Sequence, residues 1–292
     1  MKLLLLLALL LLPQESHGAI ASNPATNLTD TQKIGLLIWK NEAAQKRELL
    51  VFWNTLESFP SLGIGHCIWY LEGQKKGPYT EQFPLLCAYL KKHGTLLPAW
   101  LDKAIKTGAP WKTRTEFLQD TQRTEELRAL LCSTIDLQTQ YMIERCQERL
   151  ILIMQAVPED DKMRVAHTLE LMKSSPLGTY ALVDYLNFKG DGLNEAENRK
   201  GDRWGLLQVL LGMPSAVDKD VVVKLFTISA AEKLLRLVKN SEPEYKSIKF
   251  LSGWMSRVSS YSNENVIASL DASPFALGKS IKEVIGLRSS SC

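Results

Sequence analysis

A mainly α fold carrying one small β-hairpin is predicted from three observations. Apolar residues recur at helical spacing through most of the chain after the hairpin, and strand signals elsewhere are sparse. One stretch, Ser61-Leu62-Gly63-Ile64-Gly65-His66 running into Cys67-Ile68-Trp69-Tyr70, is punctuated by two glycines one residue apart. Neither glycine carries a Cβ, so the backbone there can turn sharply and approach a ligand closely.

The bulk numbers set wide limits. The chain has 292 residues, 45% apolar and 23% charged, enough for one large domain or two smaller ones. A net charge of +3 is too mild to argue for nucleic acid and tolerates an anionic polymer. Met1-Lys2, the apolar run Leu3 to Leu12, and the segment through Gly18 and Ala19-Ile20-Ala21 read as a secretory signal peptide, cleaved after Gly18 or Ala21. The run is too short to span a bilayer, and no later stretch reads as a membrane helix. The mature chain is therefore expected to be exported, periplasmic or secreted.

Cysteine usage leaves two options open. Five cysteines in an exported chain invite disulfides, and Cys67 and Cys87 flank the hairpin. Cys132 and Cys146 would stand ~21 Å apart along one unbroken helix and could not bridge, unless the chain turns near Ser133 to Asp136. Structural or free thiols are the favoured reading, with Cys292 the odd one out. No His/Cys cluster has the spacing of a zinc site, and no cofactor motif is present.

In chain order, Thr29 or Asp30 can cap a helix through Trp39, with Ile34, Leu37 and Ile38 at helical spacing. The carboxylate Glu42 follows at its end, and an apolar run from Glu48 to Trp53 leads to the hairpin. Glu72 to Pro78 is a turn. Helices are expected over Phe83 to His93, from Pro98 to near Gly108, over Thr113 to Cys132, Leu137 to Val157 and Asp160 to Lys173. Their charged positions read as solvated faces. Tyr180 starts an apolar helix that closes near Asp191, between two glycines. A polar loop then leads to Trp204-Gly205-Leu206-Leu207-Gln208-Val209. Ser215 to Lys239 is a further amphipathic region, and Phe250 to Tyr261 brings Trp254, Arg257 and Tyr261 together at helical spacing.

The chemistry-bearing residues gather around Glu42 and the hairpin. A partly desolvated carboxyl at a helix end holds a proton more readily and can act as a general acid. The hairpin would set Ser61, His66 and a further carboxylate, Glu57, opposite it across a cleft. Either Glu42 is that acid or it is a solvated helix end.

At this point the sequence resembles phage-type lysozymes of the lysozyme-like superfamily, in which a glutamate ends the first helix and a Gly-Ile-Gly-His hairpin follows. Glu42 falls near the family's acid, and Ser61 falls on its hydroxyl position. The family's aspartate position falls around Thr55, with Glu57 the nearest carboxylate. The second stretch resembles the acid-loop-GLMQ pattern of goose-type lysozymes and lytic transglycosylases. Gly205 and Gln208 match it, while Asp191 stands where that family has glutamate and Glu195 and Glu197 lie in the loop.

The resemblance implies an α+β, lysozyme-like fold and cleavage of peptidoglycan or a related glycan, by a glycosidase or lytic transglycosylase. Glu42 would be the general acid, Glu57, Ser61 and His66 its catalytic companions, and Tyr70, Asp191, Trp204, Gly205 and Gln208 substrate-binding residues. No cofactor and no metal are implied. Residues 1–21 are then signal peptide and 22–110 the lysozyme-like helix plus hairpin. Residues 111–292 complete the same domain or form a second lobe. The competing expectation is an exported helical protein that binds glycan or a partner without cleaving it.

Overall fold

The computed structural model describes residues 28–77, 79–195, 198–216, 218–241 and 247–267. The expected signal peptide, Glu197 and Cys292 lie outside them. The architecture is mainly helical with a small antiparallel sheet, as the sequence predicts.

Helix α1, Asp30–Ala43, is started by a capping box in which Thr29 accepts from the Gln32 amide and the Gln32 side chain accepts from the Thr29 amide. It runs past Trp39, so Glu42 belongs to its last turn, and Ala44 closes it in the left-handed region. Every residue from Ile34 to Trp39 is buried, which makes α1 a central helix rather than a one-sided amphipathic one. It packs on α6, Ile135–Ala156, and on α8, Pro176–Lys189. Gly35 permits the first contact, because a Cβ there would collide with the Thr139 hydroxyl.

The expected hairpin is two strands of a three-stranded sheet, β1 Val51–Phe52, β2 Ser61–Leu62 and β3 Cys67–Ile68, in that spatial order and antiparallel. Gly63 takes a φ of +80° in the β2–β3 turn, and a Cβ there would come 2.5 Å from the side-chain oxygen of Gln138 on α6. That buried glutamine accepts from the Ile64 amide at 3.0 Å and donates to the Leu131 carbonyl at 2.6 Å. The turn is thereby pinned to the helical core.

The remaining helices are α2 Phe83–Lys92, α3 Ala99–Ala104, α4 Arg114–Gln119, α5 Thr121–Ser133, α7 Lys162–Lys173, α9 Leu206–Gly212, α10 Lys219–Asn240 and α11 Leu251–Ser259. The expected single helix from Thr113 to Cys132 is broken at Asp120, whose carboxylate accepts from the Arg123 amide and caps α5. Thr134 alone separates α5 from α6. Cys67, Cys87, Cys132 and Cys146 are buried free thiols, so disulfides are absent among the described residues. Burial pushes the Cys67 and Cys146 thiols up to about 12, leaving them inert at neutral pH.

Buried side chains from Ile34 through Tyr261 form one hydrophobic cluster that joins both expected segments. No described helix is long and apolar enough to cross a membrane.

Candidate active site

Glu42 faces the glycine-hinged ribbon. Its side chain is 15% exposed, and its Oε2 lies 3.7 Å from Nδ1 of His66. The other oxygen, Oε1, accepts from Asn187 of α8 at 3.0 Å and from Arg257 of α11 at 2.7 Å. Asn187 also donates to the Gly65 carbonyl at 3.1 Å, so one amide ties the carboxylate to the turn. His66 is held with a φ of +48°, its ring stacked on Phe52 at 6.1 Å and its Nε2 3.1 Å from the Leu49 carbonyl. A carbonyl only accepts, so Nε2 carries hydrogen and Nδ1 is the nitrogen turned toward Glu42.

Behind Glu42 sits a buried polar network. Asp184 on α8 is fully buried and accepts from Nε and Nη2 of Arg257 at 2.8 Å each, from the Tyr261 hydroxyl at 2.6 Å and from Asn41 at 3.2 Å. Asn41 also donates to the Tyr180 hydroxyl at 2.7 Å. Burial alone would lower the Arg257 guanidinium, yet Asp184 and Glu42 together hold it well above its ordinary value. Two carboxylates thus share one guanidinium.

A groove of about 570 Å³ opens beside this pair, lined by Glu42, Phe52, Asn54, Glu57, Ser61 and His66, with Ile68 and Tyr79. The ion pair to Arg257 therefore coexists with room for a sugar beside Glu42. Glu57 stands on the rim; its amide donates to the Asn54 carbonyl at 3.1 Å, and its own carbonyl accepts from Trp53 Nε1 at 2.9 Å. Partial burial raises the Glu57 carboxyl above the usual range, with the nearby His66 charge opposing the rise. Trp53 thereby fixes the backbone of Glu57. Tyr70 departs from its expected sugar-binding role. It is 2% exposed, its hydroxyl donates to the Tyr79 carbonyl at 3.1 Å and its ring meets the edge of Phe59 at 5.2 Å. It supports the Tyr79 wall from behind.

The second stretch builds a neighbouring wall. α8 ends at Gly190, and Asp191 Oδ1 accepts from the Leu193 amide at 2.8 Å while its other oxygen pairs with Arg149 of α6. Asp191 and Trp204 line a second cavity of about 820 Å³, and Ile68 and Tyr79 line both cavities, so the two adjoin. Trp204 is fixed through its carbonyl by the Tyr185 hydroxyl at 2.7 Å. Gly205 and Gln208 line neither cavity, against expectation. Gly205 packs on the backbone of Gly192, and Gln208 donates from Nε2 to the Gly192 carbonyl at 3.1 Å. The motif folds the acid loop onto α9 rather than presenting amides to a ligand. Glu195 pairs with Arg203 at 2.9 Å.

Gly205→Ala is accordingly expected to destabilise the protein by about 1–3 kcal/mol, because the added methyl enters a backbone–backbone contact that cannot yield like a side chain. Chemical denaturation followed by tryptophan fluorescence measures it, and a change below about 0.5 kcal/mol would mean that the loop relaxes freely.

Asp184 and Asn187 are the site residues that motif reading passes over. A carboxylate and an amide three apart in the otherwise apolar run Tyr180-Ala181-Leu182-Val183-Asp184-Tyr185-Leu186-Asn187 are conspicuous, since a buried charge needs a partner. Arg257, placed by its spacing beside Trp254 and Tyr261, is that partner. Fold and groove together define a mainly helical protein with a two-carboxylate trench. Comparison with protein-family models, curated proteins and solved structures finds no match for the chain.

Proposed function

We propose that this chain is an exported, lysozyme-like enzyme that cleaves peptidoglycan or a related glycan in the groove between α1 and the ribbon. The observation that carries the reading is the presence of Glu42 and Glu57 in one open groove that His66 also lines, 3.7 Å from Glu42 and near enough to act on the Glu57 carboxyl. Glu42 protonates the glycosidic oxygen, and Asn187 and Arg257 orient it. Glu57, as carboxylate, draws a proton from water that attacks the oxocarbenium-like centre, or stabilises that centre directly. Ser61 lies on the groove floor within the sheet and positions a sugar hydroxyl. A second carboxylate in the groove favours hydrolysis over attack by the sugar's own 6-hydroxyl, the route to an anhydro product.

Clearing of a peptidoglycan gel by the purified protein tests the proposal, with fragment analysis separating reducing ends from anhydro ends. A non-catalytic glycan-binding role is the second reading, favoured by the engagement of Glu42 with Arg257, which is how a structural carboxylate is also held. Absence of clearing, together with sedimentation on cell-wall sacculi, would select it.

The pH profile carries a sign. Glu57 works ionised, so kcat/KM rises as pH climbs through its folded value, and burial sets that limb above the range of a solvated carboxylate. His66 lowers the value, so His66→Asn moves the acid limb to higher pH; asparagine tolerates the left-handed backbone at this position. An acid limb that stays in place or moves down contradicts the role given to Glu57.

A further inference from the structure

The second cavity has a chemistry of its own. Its walls carry Arg145 and Arg149 from α6, Lys189 at the end of α8 and Arg199 from the loop, against Asp191 as the carboxylate. Aromatic faces border the same space. Trp204 and Trp254 are half-buried, Phe250 is 53% exposed and stacked on Trp254 at 6.0 Å, and Tyr79 is 58% exposed where the two cavities meet. Flat, partly exposed rings suit the apolar faces of sugars, and a guanidinium fork suits a carboxylate.

Arg145 and Arg149 stand four residues apart, so they share a face of α6. Arg149 already holds the Asp191 carboxylate at this wall. Arg145, half-buried and one turn earlier, makes no ion pair among the described residues. A half-buried guanidinium without a counter-charge is costly, and an arriving carboxylate supplies one.

We infer that this cavity is a subsite for a carboxylate carried as a pendant group on the glycan, with Arg145 as its principal ligand and Trp204 and the exposed Phe250 as platforms for the adjoining sugar rings; the Trp254 ring is already engaged by the Lys189 ammonium, 3.3 Å from its centroid, and by Phe250. The inference rests on the glycan reading of the neighbouring groove, since Ile68 and Tyr79 join the two spaces into one path for a chain. It makes the preferred substrate an acidic polysaccharide rather than a neutral one of the same backbone.

The test is a binding titration on the full chain, followed by tryptophan fluorescence and independent of turnover. The probes are a neutral β-1,4-linked N-acetylglucosamine hexamer and a hexamer of the same length whose alternate sugars bear free carboxylates. The acidic hexamer should bind about tenfold more tightly at low ionic strength, and salt should erode the difference. Arg145→Gln should remove about tenfold of affinity for the acidic hexamer and leave the neutral one unchanged.

Equal affinity for the two probes, no binding of either, or an Arg145→Gln variant that weakens both alike would overturn the inference. Tight, Arg145-dependent binding of the acidic probe without any cleavage would uphold the subsite and sink the enzymatic proposal. Cleavage of both glycans without preference would do the reverse.

Discussion

Arg257→Met is expected to lower the unfolding free energy by about 3–5 kcal/mol. The side chain reaches from α11 to α1 and α8, giving two hydrogen bonds to Asp184 and one to Glu42. Its removal leaves Asp184 fully buried, with the Tyr261 hydroxyl and the Asn41 amide as neutral donors and no counter-charge. The cost is that of an uncompensated charge, not the net worth of a pair, and for that reason it is large.

Urea unfolding of Arg257→Met, Asp184→Leu and the double variant separates these effects. The double variant should cost less than the sum of the singles by about 1–3 kcal/mol, because it buries no lone charge. Arg257→Lys should recover part of the loss, since an ammonium keeps the charge but not the fork that meets both Asp184 oxygens. Arg257→Met within about 1 kcal/mol of wild type would show that water or another cation reaches Asp184.

Local pattern made the position of Glu42, the ribbon and the acid loop legible, because each depends on short-range rules. A capping residue, glycines where the backbone needs them, and an apolar helix that stops at Gly190 can all be read within a few residues. The third strand left no such trace: β1 is two residues long, too short for a period to develop. The network behind Glu42 was illegible for a different reason. Arg257 meets Asp184 across 73 positions and Glu42 across 215, and no periodicity encodes which distant cation answers a given buried acid. Asp184 announced the need for a partner; only the packing of α11 on the rest of the fold chose it. The GLLQ motif packs against the acid loop. Its glycine and glutamine hold a loop whose far side carries Trp204, which lines the second cavity.

Glu42→Gln should reduce cleavage of an unactivated glycan by about 10²–10⁴-fold while leaving the fold nearly unchanged. Glutamine keeps an Oε1 that can accept from Asn187 and Arg257, so the network survives while the transferable proton is lost. Glu57→Gln should be comparably inactive, and the double variant little worse than either single, because the two carboxyls act in one reaction. The roles separate on a substrate whose leaving group needs no proton, such as a nitrophenyl glycoside. There Glu42→Gln should recover most of the wild-type rate, since the acid's contribution is no longer required, while Glu57→Gln should stay slow because attack on the anomeric centre still depends on it. Recovery by Glu57→Gln instead would exchange the two assignments. No cleavage above the uncatalysed rate by wild type or either variant, with glycan binding retained, would mean that the groove binds glycan without cutting it and that the Glu42–Arg257–Asp184 network is a structural clamp alone.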